Sequence, residues 1–183
     1  MYEIHTPRTA ITKSMNQFQK LIKNSKNPKF IGEVFEFAKE LYGDKNWLGG
    51  KDLYIDHALR IALILQEMGI DETTIATALL YGATDTSLPG ENKQVIDEIE
   101  KKFSKEIAGL VKKTSELNKI YYSFRVGNQE RLSEEKNESL RKMFFAIAQD
   151  LRVILVKIAS RIDGLNRLNY ISEESKKLYA TET

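Results

Sequence analysis

The sequence predicts an all-α domain. Apolar residues recur three and four positions apart in one stretch after another, the mark of helices that bury one face. The three prolines, Pro7, Pro28 and Pro89, fall at the edges of those stretches and interrupt none. The run most strand-like in composition, Val153-Ile154-Leu155-Val156, lies between helical patterns on both sides, which outweighs its β-propensity.

Taken in order, Ile11 to Ile22 places Ile11, Met15, Phe18, Leu21 and Ile22 on one stripe, and Ile31 to Leu41 repeats it with Ile31, Val34, Phe35, Ala38 and Leu41. Gly43 and the pair Gly49-Gly50 then open a loop. A third helix is expected over Tyr54 to Met68, capped by Gly69. Asp71 is a ready N-cap for the next, whose Ile75 to Ala83 stretch is apolar nearly all round and therefore buried. Ser87-Leu88-Pro89-Gly90 reads as a turn. Val95 to Phe103 and Ile107 to Leu117 read as two amphipathic helices joined near Ser104. Lys119 to Lys136, polar and interrupted by Gly127-Asn128, reads as a mobile loop or a poorly packed helix pair. Helical patterns resume over Leu140 to Ala148 and Leu151 to Leu168, and a last helix starts near Ser172. In all, nine or ten helices form a single domain over 1–183. The pattern runs through Tyr179–Thr183 without a capping glycine, so the expectation is the N-terminal part of a longer chain.

With 183 residues, 42% of them hydrophobic and 30% charged, the chain is long enough for one domain with a sizeable core. Lys and Arg number 28 against 26 for Asp and Glu, a balance that gives no general attraction to DNA or to an anionic membrane. Zero cysteines exclude disulfides, thiolate metal sites and cysteine nucleophiles. No apolar run reaches the ~20 residues that span a bilayer, and Met1 to Arg8 lacks the apolar core of a secretory signal, so the expected location is cytoplasmic. Of the two histidines, His5 lies in a polar N-terminal arm, and His57 opens the third helix. A site needing clustered imidazoles would have to recruit that arm.

Several segments resemble the RelA/SpoT family of alarmone enzymes: Tyr54-Ile55-Asp56-His57, the helix from Ile70 to Leu80, and above all Leu140 to Ala159, with Tyr179 to Thr183 resembling the link toward a synthetase domain. The likeness covers about 30–183. It implies an HD-type helical fold, and, for active members, hydrolysis of the 3′-diphosphate of (p)ppGpp at one manganese ion held by two histidines and two aspartates. A Glu-Asp pair positions the attacking water, an arginine contacts the base and an asparagine contacts the sugar.

Carried across, the likeness implies a degenerate member. His57 stands at the first histidine. Tyr81 and Gly82 stand at the His-Asp pair, Ser160 at the last aspartate and Gly164 at the asparagine. The Glu-Asp pair falls on Asp85 and Thr86, and the base-contacting arginine falls near Leu48. A hard divalent ion needs several oxygen and imidazole donors, and a phenol with a pKa near ~10 is a poor neutral-pH ligand for it. Manganese is therefore not expected here as a cofactor. The expected function is a pseudo-hydrolase domain with a scaffold role in the stringent response, packed against a synthetase domain of the same chain. Two other readings remain at this point: a pyrophosphohydrolase with a rearranged metal site built on His57, Asp85 and Asp163, and a sensor of (p)ppGpp or another guanine nucleotide. For the last, Lys157 and Arg161, one turn apart on one helix face, are the candidate phosphate contacts. The plainer reading makes that pair solvated charge, His57 a hydrogen-bonded remnant, and Asp85 a turn residue. Trp47, in the glycine-rich loop, is either a lid over the cleft or a contact for another domain.

Overall fold

The structure, a computed structural model, describes residues 7–47, 50–84, 92–126 and 150–170, together with Glu173 and Lys176. These residues form seven α-helices: α1 (Pro7–Lys23), α2 (Pro28–Tyr42), α3 (Tyr54–Glu67), α4 (Glu72–Leu80), α5 (Asn92–Lys102), α6 (Lys105–Val126) and α7 (Leu151–Asn166). A short 3₁₀ turn, Leu168–Tyr170, follows α7, and no strand occurs among the described residues.

Short-range chemistry sets most boundaries. Pro28 stands in the first turn of α2, where its missing N–H costs nothing, and the Asn27 side chain accepts from Phe30 N. Gly69 adopts φ +73 and closes α3, with Ile70 N donating to Leu65 O at 3.1 Å. Asp71 caps α4, accepting from Thr74 N at 3.0 Å and from the Thr74 hydroxyl at 2.7 Å. Ser104 Oγ accepts from Ile107 N at 3.1 Å and starts α6. Asp150 caps α7 through Arg152 N.

One boundary differs from the sequence reading. The helix expected to end at Leu117 continues through Val126, into a segment read as a mobile loop or a poorly packed helix pair. No glycine or proline intervenes between Ile107 and Val126 except Gly109 in the first turns, so a helix once nucleated propagates through Val126. The rest of that expected loop, the 140–148 helix, the turn at 87–90 and most of the last helix lie outside the described residues.

α4 is the axis of the fold. Every residue from Thr74 to Thr84 is buried, as its all-round apolar sequence requires, and α2, α3, α6 and α7 pack around it. Aromatic pairs fill the flank: Phe18 stacks on Phe35 with centroids 4.1 Å apart, and Phe103 meets Phe30 and Phe37 edge-on. Polar ties fix the periphery. Glu72, at the head of α4, accepts from the Ser25 hydroxyl and from Lys26 N (2.6 Å), pinning the α1–α2 turn. Gln66 of α3 donates to Leu21 O of α1 at 2.9 Å, and Ser14 of α1 is hydrogen-bonded to Asp56 of α3. The core face of α7 carries Val153, Val156, Ala159, Ser160, Asp163 and Gly164; its outer face leaves Leu151, Ile158, Ile162 and Leu165 exposed. α3 and α7 lie side by side, and this juxtaposition builds the candidate site.

Candidate functional site

His57 enters in the first turn of α3, on the side facing α7. Its ring is completely buried, with 0% exposure, which decides what it can do. Nδ1 lies 2.6 Å from Asp163 Oδ2 and Nε2 lies 3.2 Å from Ser160 Oγ. Ser160 and Asp163, three apart on α7, project to the same side of that helix and engage both ring nitrogens together. Trp47 covers one face of the imidazole, with centroids 3.8 Å apart and planes inclined by 21°. Tyr81 meets the ring edge-on at 5.6 Å, and its hydroxyl is 3.4 Å from Ser160 Oγ.

Apart from Asp163, which the sequence reading had offered for a rearranged metal site, the charges are supplied by residues left unassigned there. Arg60, one turn after His57, donates from Nε to Asp163 Oδ1 at 2.6 Å and from Nη2 to Asp163 Oδ2 at 3.0 Å, the fork geometry that makes such pairs strong. The same Nη2 donates to Asp52 Oδ2 at 2.9 Å. Arg167, at the end of α7, donates to both Asp52 oxygens, at 2.9 and 2.7 Å. Two carboxylates therefore face two guanidiniums, and the network is balanced without a further ion.

That balance sets the protonation states. Burial lowers the pKa of His57, and the hydrogen bond that it donates to Asp163 only partly offsets it. The imidazole is therefore neutral at pH 7, with Nδ1–H donating to Asp163 and Nε2 accepting from the Ser160 hydroxyl. Burial pushes the Asp163 carboxyl up, but the hydrogen bonds from His57 and Arg60 outweigh it and hold the pKa below the ordinary value. Asp52 behaves likewise: burial raises it, and Arg167 and Arg60 together bring it down.

Chemically, the cluster is closed. Ser160, His57 and Asp163 share the connectivity of an acyl-transfer triad. Their surroundings do not suit that role, because Ser160 is 6% exposed, its oxygen is shared with Tyr81, and Trp47 lies flat on the base. Nor do the residues fit manganese. The lone imidazole has both nitrogens engaged, both carboxylates are taken by guanidiniums, and two fixed cations repel a third. Among the described residues no group of three or more His, Asp or Glu side chains is placed to hold a metal ion.

Of the residues singled out from sequence, the fold brings together His57, Tyr81, Ser160, Asp163 and Trp47. Gly82 lies just behind them, its N–H donating to Tyr42 Oη at 3.2 Å while that hydroxyl donates to Leu79 O at 2.8 Å. Lys157 and Arg161 are half-buried one turn apart on α7. Asp85, Thr86, Leu48 and His5 lie outside the described residues. Asp52, Arg60 and Arg167 were missed; the available signal was the helical spacing of Arg60 from His57 and of Asp163 from Ser160.

Residues 34–183 match the HD domain family. Over 153 residues the chain is 35% identical to a guanosine-3′,5′-bis(diphosphate) 3′-pyrophosphohydrolase of Aquifex aeolicus, covering 84% of this chain and 20% of that protein. It is 37% identical over 130 residues to a GTP pyrophosphokinase of Myxococcus xanthus, covering 71% of this chain and 16% of that one. A probable pyrophosphohydrolase of the same kind from Synechocystis is 33% identical over 154 residues, covering 84% and 18%. The chain thus spans no more than a fifth of the length of these relatives. No described helix is long and apolar enough to cross a membrane. The match over 34–183, the helical architecture and the likeness to enzymes of both (p)ppGpp chemistries agree: the chain belongs to the HD domain family, in the RelA/SpoT branch.

Proposed function

We propose that this chain is a hydrolase-inactive HD domain that acts as a scaffold for an alarmone synthetase domain in the stringent response. One observation carries the first half of the reading: the imidazole at the position of the first metal ligand is sealed on every side. Its nitrogens serve Asp163 and Ser160, its face serves Trp47, and its flank meets Tyr81. A metal-bound water is the nucleophile-generating device such chemistry needs, and these donors do not assemble one. What remains is a stable helical core, which suits a structural role.

The second half is supported by the relatives, among which GTP pyrophosphokinases and a 3′-pyrophosphohydrolase both match this one domain while being about four times as long. On this reading the domain is the N-terminal part of a longer cytoplasmic chain, its partner is the synthetase domain of that chain, and it biases that domain through a contact rather than through chemistry.

Calorimetric titration of the purified chain with (p)ppGpp, with and without Mn²⁺, tests the reading, together with an assay for released pyrophosphate. No heat and no release are expected. Manganese-dependent binding with release would establish a working hydrolase in its place. Metal-independent binding would make the cleft a nucleotide sensor.

A further inference from the structure

The outer face of α7 is apolar, and its apolar row is symmetric. Leu151 is 69% exposed, Ile158 48%, Ile162 41% and Leu165 36%, and Ile154 is half-buried among them. Apolar side chains on a surface are ordinarily scattered singly, whereas these form one row. Leu151 and Ile154 stand seven and four residues before Ile158, and Ile162 and Leu165 stand four and seven after it. At ~100° per residue, all five fall within ~40° of a single line down the helix. That line lies opposite the buried Val156, Ser160 and Asp163. The row reads Leu-Ile-Ile-Ile-Leu from either end. Turned end over end about Ile158, it falls on itself: Leu151 meets Leu165, Ile154 meets Ile162, and Ile158 meets Ile158. This is the self-complementarity that a two-fold contact between identical chains needs. A different partner places no such demand on the order of the residues.

From this arrangement we propose that α7 pairs antiparallel with α7 of a second copy of this chain, about a two-fold axis at Ile158. The area available sets the strength of the contact. A row ~21 Å long on a helix ~10 Å across falls short of the ~800 Å² per partner that a standard interface buries. The pair is therefore a concentration-dependent dimer, with a dissociation constant of ~10–100 μM, and not an obligate one. Charge shapes it further. Helical spacing puts Lys157 and Arg161 along one edge of the row, and the two-fold axis brings that edge beside the same edge of the copy. Salt screens cation from cation there and tightens the pair, where an association built on ion pairs would loosen. The proposal goes beyond the scaffold reading and does not rest on it, since its test reads mass and cross-linking and not nucleotide or manganese.

Sedimentation velocity of the purified chain from ~10 μM to ~1 mM should show the mass rise from one chain toward two, more steeply in ~0.5 M than in ~0.05 M NaCl. Ile158→Glu sets two carboxylates face to face on the axis and should leave the chain monomeric throughout, with helical circular dichroism unchanged. The chain has no cysteine, so a single introduced one can cross-link only copy to copy. Ile158→Cys should oxidise to a covalent dimer with itself. Leu151→Cys and Leu165→Cys should each resist alone and join when mixed, because a disulfide needs Cα atoms within ~7 Å. Met68→Cys, 52% exposed at the end of α3, is the control. A chain that stays monomeric at ~1 mM in high salt overturns the proposal and leaves the face to another occupant. A dimer that survives Ile158→Glu overturns it too, as does Met68→Cys cross-linking as fast as Ile158→Cys. Self-linkage of Leu151→Cys and Leu165→Cys in preference to the mixture overturns the antiparallel arrangement. Should Ile158→Glu lose helicity, the cysteine series decides alone.

Discussion

Asp163→Asn is the most informative single substitution in the cluster. It leaves the volume unchanged, so no cavity contributes, but it removes the charge that Arg60 and His57 share. The amide has one carbonyl oxygen where the carboxylate presented two, one bonded by Arg60 Nε at 2.6 Å and the other by Arg60 Nη2 at 3.0 Å and by His57 Nδ1 at 2.6 Å. At least one of those donors is left unsatisfied, and the amide NH₂ faces a guanidinium. The side chains are 5% and 12% exposed, so solvent does little to soften the loss. Breaking a buried pair in this way costs ~3–5 kcal/mol, and because Asp52 still receives Arg60 we expect the low end, ~3 kcal/mol. For a domain of this size that lowers Tm by ~6–12 °C. Urea denaturation followed by circular dichroism and by Trp47 fluorescence measures it. If Arg60→Met is added, the double variant should lose less than the sum of the two single losses, since both remove one interaction. A loss below ~1 kcal/mol, or strict additivity with Arg60→Met, would show that the network is not the buried pair described and would undo the electrostatic argument for the closed site.

The pH dependence of stability follows from the same groups. His57 is held below its ordinary 6.5 and Asp52 and Asp163 below their ordinary 3.8, so in each case the unfolded chain takes up the proton first. Stability should therefore be level above pH ~6.5, decline as His57 titrates in the unfolded chain, and fall again below pH ~4 as the carboxylates follow; denaturation midpoints from pH 8 to pH 3 test this, and a rise in stability between pH 6.5 and pH 5 would contradict it. Gly82→Ala should destabilise by ~1–3 kcal/mol, because an added Cβ would sit 3.2 and 3.3 Å from the Tyr54 ring and 3.5 Å from Tyr42 Oη; a neutral result in chemical denaturation would show that those rings yield freely.

Helix positions were legible because local chemistry specifies them. Pro28, Gly69 and Asp71 fall where capping rules put them, the apolar stripe of α2 is buried, and the all-round apolar segment at Ile75 is the buried axis, whereas Met15 of the α1 stripe is exposed. The helix expected over Ile107 to Leu117 runs on to Val126 because no breaker interrupts it, whereas the polar composition beyond Lys119 had left a loop and a poorly packed helix pair both open. The site was legible only in part. His57 stood out by scarcity, and Tyr81 and Ser160 through resemblance to a family. Asp52, Arg60 and Arg167 were invisible because charged residues on an amphipathic helix or in a loop ordinarily face water. What buries them is a meeting of segments 103 and 115 residues apart, which no local pattern records. Trp47 was left between two roles for the same reason, and the stack on His57 assigns it to the cleft.

Gly82 carries a consequence for how this protein can change. Behind it stand the Tyr54 ring and the Tyr42 hydroxyl, already in contact distance of any side-chain atom placed there. A carboxylate placed at this point would first collide with two aromatic neighbours on α2 and α3, and would enter an interior whose carboxylates Arg60 and Arg167 already neutralise. The tyrosines thus bar larger side chains from position 82.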